Sequence, residues 1–177
     1  YESVTDLKDK YKFIGISWRG GGTHNRIKQK SIPIEYFFEI LKDHDNIQFI
    51  SLQYGETKST IDYMNKRGVS ILVDNDIDPL KNMDNWLSQV AICDSVISVA
   101  NTTIHGSGGL DIPTLCLLSQ NSDWRWFDDP RVDQSYWYPS VNILRESKTE
   151  GWKNLIPKAR KWILDGCPSM TGTSYTV

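Results

Sequence analysis

Apolar residues along the chain fall into short, nearly continuous runs that alternate with segments of helical periodicity. Short apolar runs bounded by turn residues are typical of strands buried on both faces. Strands are predicted at 12–18, 48–53, 69–73, 95–99, 114–118 and 141–144. Helices are predicted to begin near 31–35 and to occupy 57–66, 82–91, 102–110 and 152–164. This alternation predicts an α/β fold in which helices cover both faces of a parallel sheet.

The segment between the first predicted strand and the first predicted helix is rich in glycine and polar residues. From Arg19 to Lys30 we expect a loop, because this composition holds regular structure poorly. Pro33 then falls near the first turn of a helix, where its missing N–H costs nothing. The apolar face of that helix is formed by Tyr36, Phe37, Ile40 and Leu41.

The length of 177 residues suits one hydrophobic core. We expect one domain over residues 1–165, followed by a tail over residues 166–177 that shows no periodicity. The sequence starts at Tyr1 with neither an initiator Met nor a signal region, so we expect it to begin inside a larger gene product.

Charge and cysteine content narrow the class of protein. The 20 Lys and Arg residues are interspersed with 22 Asp and Glu residues, so the chain lacks the basic stripe of a general nucleic-acid binder. No apolar run approaches the length of a membrane span. Cys93, Cys116 and Cys167 are odd in number, and the first two lie in apolar segments. These features favour a reducing, cytoplasmic setting.

Ligands of open parallel sheets collect at the carboxyl ends of the strands, and two such ends carry glycine beside charge. At Trp18–Gly22 the glycines permit a close backbone approach, and Arg19 offers several donors to phosphate. An ordinary surface loop explains the same residues. At Gln53–Glu56 the carboxylate could accept hydrogen bonds from ribose hydroxyls, or it could simply favour the start of a helix.

A third strand end leads into a helix whose first turn is rich in hydroxyl and amide groups. Asn101 or Thr102 can cap this helix, and its free N–H groups attract an anion such as a diphosphate. An ordinary capped helix remains the alternative. His105 could orient a phosphate or a sugar, or it could be a helix histidine bonded to a neighbour.

Three of the seven tryptophans crowd one stretch that is also rich in Pro and Asp: Trp124, Trp126 and Trp137. We expect a structured loop packed onto the edge of the sheet. The alternative is an exposed aromatic surface that binds a glycan or a protein.

Taken in order, these segments resemble the C-terminal domain of bacterial tetratricopeptide-repeat glycosyltransferases and, more distantly, the lipopolysaccharide heptosyltransferases. The resemblance extends from Phe13 to about Leu164. Its carriers are residues 16–20 (ISWRG), 30–33 (KSIP), 51–56 (SLQYGE), 96–105 (VISVANTTIH), 123–126 (DWRW) and 137–139 (WYP).

The resemblance implies a Rossmann-like domain that forms the C-terminal half of a GT-B fold and binds a nucleotide-sugar donor. It implies a diphosphate at Asn101, Thr102, Thr103 and His105, a phosphate contact at Lys30 and a ribose contact at Glu56. It places Met83 and Asp84 near the base. The strand-end residues Trp18, Arg19, Gly20, Gln53 and Gly55 complete the expected donor site.

The same resemblance implies a metal-independent enzyme without a cofactor, whose acceptor or repeat domain precedes this one in the same protein. The catalytic base is expected in that domain, so this chain alone should not turn over. One position departs from the family pattern, because Ala100 stands where an acid usually precedes the Asn-Thr pair. Ala100 therefore also favours an alternative: a catalytically inactive module that binds a glycan or a protein.

Rival enzyme classes begin from other motifs. Asp74, Asp76 and Asp78 follow an apolar strand, as do the acids that hold a divalent ion in GT-A transferases, but several strand–helix units come after them. A calcium loop fits less well, because Pro79 replaces the turn glycine. Flavodoxin-like and dinucleotide-binding folds share the alternation, yet residues 18–22 lack the spaced glycine fingerprint.

Overall fold

The computed structural model describes residues 4–120, 122–127, 129 and 132–169. Within these residues it contains one parallel sheet of six strands in the order β3-β2-β1-β4-β5-β6. The strands are β1 Lys12–Ser17, β2 Ile47–Ser51, β3 Ile71–Leu72, β4 Ser95–Val99, β5 Thr114–Leu118 and β6 Val141–Arg145. The predicted fold class is confirmed: the domain is a Rossmann-like α/β fold.

Seven α-helices and two 3₁₀ turns accompany the sheet in the described residues. The helices are α1 Val4–Lys10, α2 His24–Lys30, α3 Ile34–Leu41, α4 Lys58–Asn65, α5 Met83–Ala91, α6 Thr102–Gly109 and α7 Leu155–Leu164. The 3₁₀ turns are Trp124–Trp126 and Trp152–Asn154. Most of the predicted tail, from residue 170 onward, lies outside the described residues.

The predicted loop between Arg19 and Lys30 is wrong in its second half, which is the helix α2. None of the α2 side chains is buried, so this helix has no apolar stripe from which periodicity could identify it. Its Arg, Lys and Gln residues nevertheless have good helix propensity. The strand predicted at 69–73 is also shorter than expected. Leu72 and Val73 are exposed at the edge of the sheet, where β3 pairs with β2 over two residues.

Alternate side chains of the central strands enter cores on opposite faces of the sheet. On β1, Ile14 and Ile16 join the core beneath α3 and α7, whereas Phe13 joins the core beneath α5. Trp18 belongs to the first of these cores and packs against Phe37. Each fully buried side chain of this size contributes about 1.5–3 kcal/mol, so these cores fix the positions of the strand ends.

All three cysteines are buried free thiols. Burial raises the pKa of Cys93 to about 12 and also raises the pKa values of Cys116 and Cys167. The expectation that Cys93 and Cys116 act as small buried apolar residues is confirmed.

The described part of the chain includes no helix that combines the length and the apolar character needed to cross a membrane.

The neighbouring strands β1 and β4 lie at the centre of the sheet. From this pair the chain continues to β2 and β3 on one side and to β5 and β6 on the other. The loops that leave β1 and β4 therefore diverge and open a crevice at the carboxyl edge of the sheet, where ligands of such folds bind.

Candidate functional site

The carboxamide of Gln53 joins the carboxyl ends of β1 and β2. Its oxygen accepts hydrogen bonds from Ser17 Oγ at 3.0 Å, the Trp18 amide at 3.1 Å and the Arg19 amide at 2.8 Å. Its nitrogen donates to the Tyr54 carbonyl at 3.2 Å. Gln53 is buried, so it shapes the site rather than presenting its polar atoms to a ligand.

Asn101 fixes the start of α6 against β1. Its side-chain oxygen accepts from the Thr103 amide at 2.8 Å, which caps the helix, and from Ser98 Oγ at 3.1 Å. Its nitrogen donates to Ser17 Oγ at 2.7 Å and to the Arg19 carbonyl at 3.0 Å. Asn101 therefore orients the positive end of α6 toward the crevice.

A cleft of about 210 Å³ opens in front of this helix end, and we call it the switch-point cleft. Its lining combines residues that follow β1, β2, β4 and β5. They are Gly21, Lys30, Tyr54, Ala100, Asn101, Thr102, His105, Asp123 and Trp126. Four predicted donor residues thus meet in one place, while Thr103 lies behind them, fully buried.

Lys30 is the last residue of α2, and its side chain lines the switch-point cleft. Its ammonium nitrogen lies 3.3 Å from Asp123 Oδ2, and the two side chains are 18% and 32% exposed. A β-carbon on Gly20 would lie 2.6 Å from the Lys30 β-carbon. A β-carbon on Gly21 would lie 2.5 Å from the Tyr54 hydroxyl oxygen. Glycine is therefore required at position 20 by the packing against Lys30, whereas a side chain at position 21 would only displace the end of the Tyr54 side chain.

His105 forms the wall of the cleft nearest β5. Its Nδ1 lies 3.1 Å from the Tyr138 hydroxyl, and its ring stacks on Trp126 with centroids 6.0 Å apart. Burial lowers the pKa of His105, and the nearby Arg125 lowers it further. The imidazole is therefore largely neutral at pH 7, and in the tautomer with the proton on Nε2 its Nδ1 accepts the hydrogen bond from the Tyr138 hydroxyl.

Arg19 and Glu56 line a second cleft of about 430 Å³, between α2, α3 and the start of α4. The Arg19 guanidinium donates to the Tyr54 carbonyl at 2.9 Å and lies against Gly55, which has a positive φ of 80°. Glu56 lies 3.4 Å from the Ser59 amide and 3.3 Å from its hydroxyl, as an acid at a helix start does. The side chains of these two donor candidates therefore line a different cleft from the start of α6, although the Arg19 carbonyl bonds to Asn101.

Three other predicted donor residues take different positions. Trp18 is only 6% exposed and its ring belongs to the core, and the residue also lines the second cleft beside Arg19. Met83 and Asp84 are exposed in the first turn of α5 and are not among the residues that line the switch-point cleft. The same helix packs against α6, where Trp86 contacts Gly106.

The tryptophan-rich loop divides into a buried and an exposed part. Trp126 is buried against β5 and β6, as expected for a loop packed on the sheet edge. The expectation is wrong for Trp124 and Trp137, which are 69% and 52% exposed. These exposed rings also lie close to the site.

The predicted donor site lacks three side chains of the switch-point cleft, Tyr54, Asp123 and Trp126, and also Tyr138, which bonds to His105. Asp123 and Tyr138 lie in the motifs that carry the resemblance, yet their contacts are with residues far away in the chain. Asp123 is 93 positions from Lys30. Tyr54 stands between two predicted donor residues, and that position was the available signal.

The acids proposed for a divalent ion bond within their own loop. Asp74 Oδ1 accepts from the Asp76 amide and Asp78 Oδ1 from the Leu80 amide, each at 2.9 Å. Across the described ranges, no group of three or more His, Cys, Asp or Glu side chains is arranged to hold a metal ion.

Comparison with solved structures assigns the domain to a class of folds. The chain resembles the E. coli heptosyltransferase WaaC with ADP, with a TM-score of 0.62, 14% identity and coverage of 93% of this chain and 48% of that chain. E. coli ADP-heptose LPS heptosyltransferase II gives a TM-score of 0.61, 12% identity and coverage of 89% and 46%. A glycosyl transferase of family 9 from Veillonella parvula gives 0.59, 13% and coverage of 92% and 50%.

The domain therefore has the Rossmann-like fold found in these glycosyltransferases, and it spans about half the length of each. No protein-family model matches the sequence. No curated protein matches it either.

Proposed function

We propose that this chain is the nucleotide-sugar-binding domain of a metal-independent, GT-B-type glycosyltransferase, whose acceptor or repeat domain lies elsewhere in the same protein. The observation that carries the proposal is the switch-point cleft, where the capped end of α6 meets the Lys30 ammonium. The fold supports it, since it matches about half of each of several glycosyltransferases, one of them solved with ADP.

The chemistry of the cleft suits a diphosphate. The first N–H groups of a helix and its dipole attract anions, and Lys30 adds a full positive charge. Thr102 is exposed at this helix end and offers a hydroxyl group. A bound phosphate would compete with Asp123 for Lys30. We place the diphosphate against Asn101, Thr102 and His105, with the buried Thr103 behind them.

Transfer of a sugar from its nucleotide builds negative charge on the departing diphosphate. Preorganised donors directed at that charge lower the barrier, and one donor contributes about 3 kcal/mol, roughly a hundredfold in rate. The helix end, Lys30 and a neutral His105 in the tautomer with the proton on Nε2 supply such donors without a metal ion. The base that activates the acceptor is then contributed by the acceptor domain.

The nucleoside is proposed to lie on the β2 side of α6. Tyr54 follows β2 and lines the switch-point cleft, and Glu56, two residues later, lines the second cleft. Glu56 would exchange its contacts with Ser59 for the ribose hydroxyls. Met83 and Asp84 stand at the exposed start of α5 and are proposed to approach the base.

Thermal unfolding with UDP, GDP, ADP and CMP, with and without magnesium, tests the proposal. One nucleoside diphosphate should stabilise the fold without magnesium by about 2.7 kcal/mol at a hundred times its Kd. The Lys30→Ala variant should bind it about ten- to a hundredfold more weakly, because it loses a charged hydrogen bond of about 1.5–3 kcal/mol. Lys158→Ala removes an exposed lysine of α7 and is the control. Equal effects of the two substitutions on nucleotide binding would show that Lys30 does not contact the ligand.

A further inference from the structure

Two exposed tryptophans form a cleft directly beside the switch-point cleft. Trp124 and Trp137 meet edge to face, with ring centroids 6.3 Å apart and an interplanar angle of 89°. With Arg125, Tyr138 and His105 they line a space of about 340 Å³, which we call the aromatic cleft. Exposed aromatic rings side by side are a feature of ligand-binding surfaces.

Polar contacts hold the rings of the aromatic cleft in place. The Trp137 indole nitrogen donates to the Arg125 carbonyl at 3.0 Å. The Arg125 guanidinium lies 4.9 Å from the centroid of the Trp124 ring. Asp123 caps the 3₁₀ turn that carries both residues, by accepting from the Arg125 amide at 3.2 Å. These contacts fix the turn in a position that leaves both rings exposed to solvent, although exposure of large apolar rings is unfavourable.

His105 lines both clefts, so the aromatic cleft begins where the switch-point cleft ends. The order of strands places the residues that follow β2 and those that follow β5 on opposite sides of α6. Tyr54 follows β2, on one side of the central pair, whereas Trp124 follows β5, on the other. A diphosphate at the start of α6 would carry one group toward each side.

We propose that the aromatic cleft is a subsite for a pyranose ring, and, resting on the proposed function, that this ring is the sugar of the donor. The C–H face of a pyranose is apolar and packs on an indole, while its hydroxyl rim needs hydrogen-bond partners. Trp124 and Trp137 supply the faces, and Arg125 and Tyr138 supply the partners. The volume falls at the low end of the usual range for small-molecule sites, about 300–1,000 Å³, which suits a single sugar ring.

Binding of simple sugars tests the subsite without any nucleotide. Methyl pyranosides of glucose, galactose, mannose and N-acetylglucosamine are titrated to about 100 mM, in the millimolar range expected of a single weak subsite. At least one of them should shift the indole N–H signals of Trp124 and Trp137 in an NMR spectrum. Trp124→Ala should weaken this binding about tenfold, a difference of about 1.4 kcal/mol. Leu164→Ala, which removes another exposed apolar side chain, should leave it unchanged.

Three results would overturn the subsite. No indole shift with any pyranoside is the first, and an equal shift of the remaining Trp137 signal in Trp124→Ala is the second. The third is an indole shift that depends on protein concentration alone, which would assign the rings to a contact between proteins. Trp124→Leu keeps an apolar side chain without the aromatic face, and it should behave like Trp124→Ala if stacking on the ring is the cause.

A second arm assigns the sugar to the donor. Trp124→Ala should weaken binding of the nucleotide sugar about tenfold and leave binding of the matching nucleoside diphosphate unchanged. Equal weakening of both would place the nucleoside on the rings and overturn the inference. If pyranosides bind and no nucleotide does, the proposed function fails while the pyranose subsite stands.

Discussion

The ammonium group of Lys30 lies 3.3 Å from a carboxylate oxygen of Asp123, across the mouth of the switch-point cleft. The same oxygen lies 3.4 Å from Arg125 Nη1, so Asp123 joins Lys30 of α2 to the turn that carries the exposed tryptophans. Asp123 is thus the negative partner of Lys30 that a phosphate bound at the proposed donor site would replace. Under that proposal, Asp123 competes with the ligand for the Lys30 ammonium group.

Substitution of Asp123 by Asn should raise the affinity for a nucleoside diphosphate about two- to fivefold. An ion pair of this exposure contributes up to about 1 kcal/mol, and its loss frees Lys30 and removes a negative charge beside the ligand. The Asn oxygen can still cap the 3₁₀ turn. Titration calorimetry measures the change, with Asp165→Asn as the control, because Asp165 pairs with the exposed Lys161 of α7. A lower affinity in Asp123→Asn would show that Asp123 serves the ligand directly.

The Asn101→Ala substitution should destabilise the fold by about 2–4 kcal/mol. It removes a helix cap and also the bonds that tie α6 to Ser17 and to the Arg19 carbonyl. Asn82 caps α5 through a single bond to the Asn85 amide, so Asn82→Ala should cost about 1 kcal/mol. Urea unfolding compares the two variants. Equal losses would contradict the role of Asn101 in joining α6 to β1.

The Gly20→Ala substitution should weaken both stability and ligand binding. Its β-carbon would lie 2.6 Å from the Lys30 β-carbon, so α2 must shift, at a cost of about 1–3 kcal/mol. Displacement of Lys30 should also lower the affinity for the diphosphate. Gly109→Ala is the control: its β-carbon meets no atom within 4 Å, and it should stabilise α6 by about 0.5–1 kcal/mol. An unchanged affinity of Gly20→Ala for the diphosphate would show that Lys30 does not bind it.

His105 should make the stability of the fold depend on pH. Burial holds its pKa below the ordinary value of 6.5, so as the pH falls the unfolded chain takes up the proton first. The stability is therefore fully present above pH 6.5 and is lost as the pH falls from there toward the lowered pKa of the folded state. His105→Gln should flatten the pH dependence of the unfolding free energy in this range. Burial also lowers the pKa of His44, so His44→Gln should remove the contribution of His44 to the pH dependence of the unfolding free energy. An unchanged slope in His105→Gln would contradict the burial of its imidazole.

The fold could be predicted where burial leaves a mark on the local sequence. Strands β4 and β5 have the predicted bounds, because all ten of their side chains are buried and the apolar runs end where the strands do. The sequence of α2 shows no apolar stripe, since all its side chains lie at least partly in solvent. The edge strand β3 pairs with β2 over only two residues, and its apolar Leu72 and Val73 are exposed, so the apolar run predicts a longer strand than the one that forms.

The sequence predicts only those site residues that lie at the end of a strand or the start of a helix, because these features can be read from neighbouring residues. The start of α6 and Gln53 are predicted from strand ends and a helix cap, and Lys30 is predicted from the family resemblance alone; the fold brings all three to one edge of the sheet. The placement of Arg19 and Glu56 in a second cleft depends on contacts across the sheet, such as those of Gln53 with β1, which the sequence does not show. The role of Asp123 depends on a partner far away in sequence, so it emerged only from the folded chain.

Mapping of backbone amide shifts tests the central claim most directly. The nucleoside diphosphate that gives the largest thermal stabilisation is added to the labelled chain, without magnesium. The account predicts the largest shifts at the amides of Thr102, Thr103 and His105, with none of comparable size around Asp74 and Asp78. Shifts centred on those acids, or no shift with any diphosphate at about 10 mM, far above the Kd of a working donor site, would contradict it.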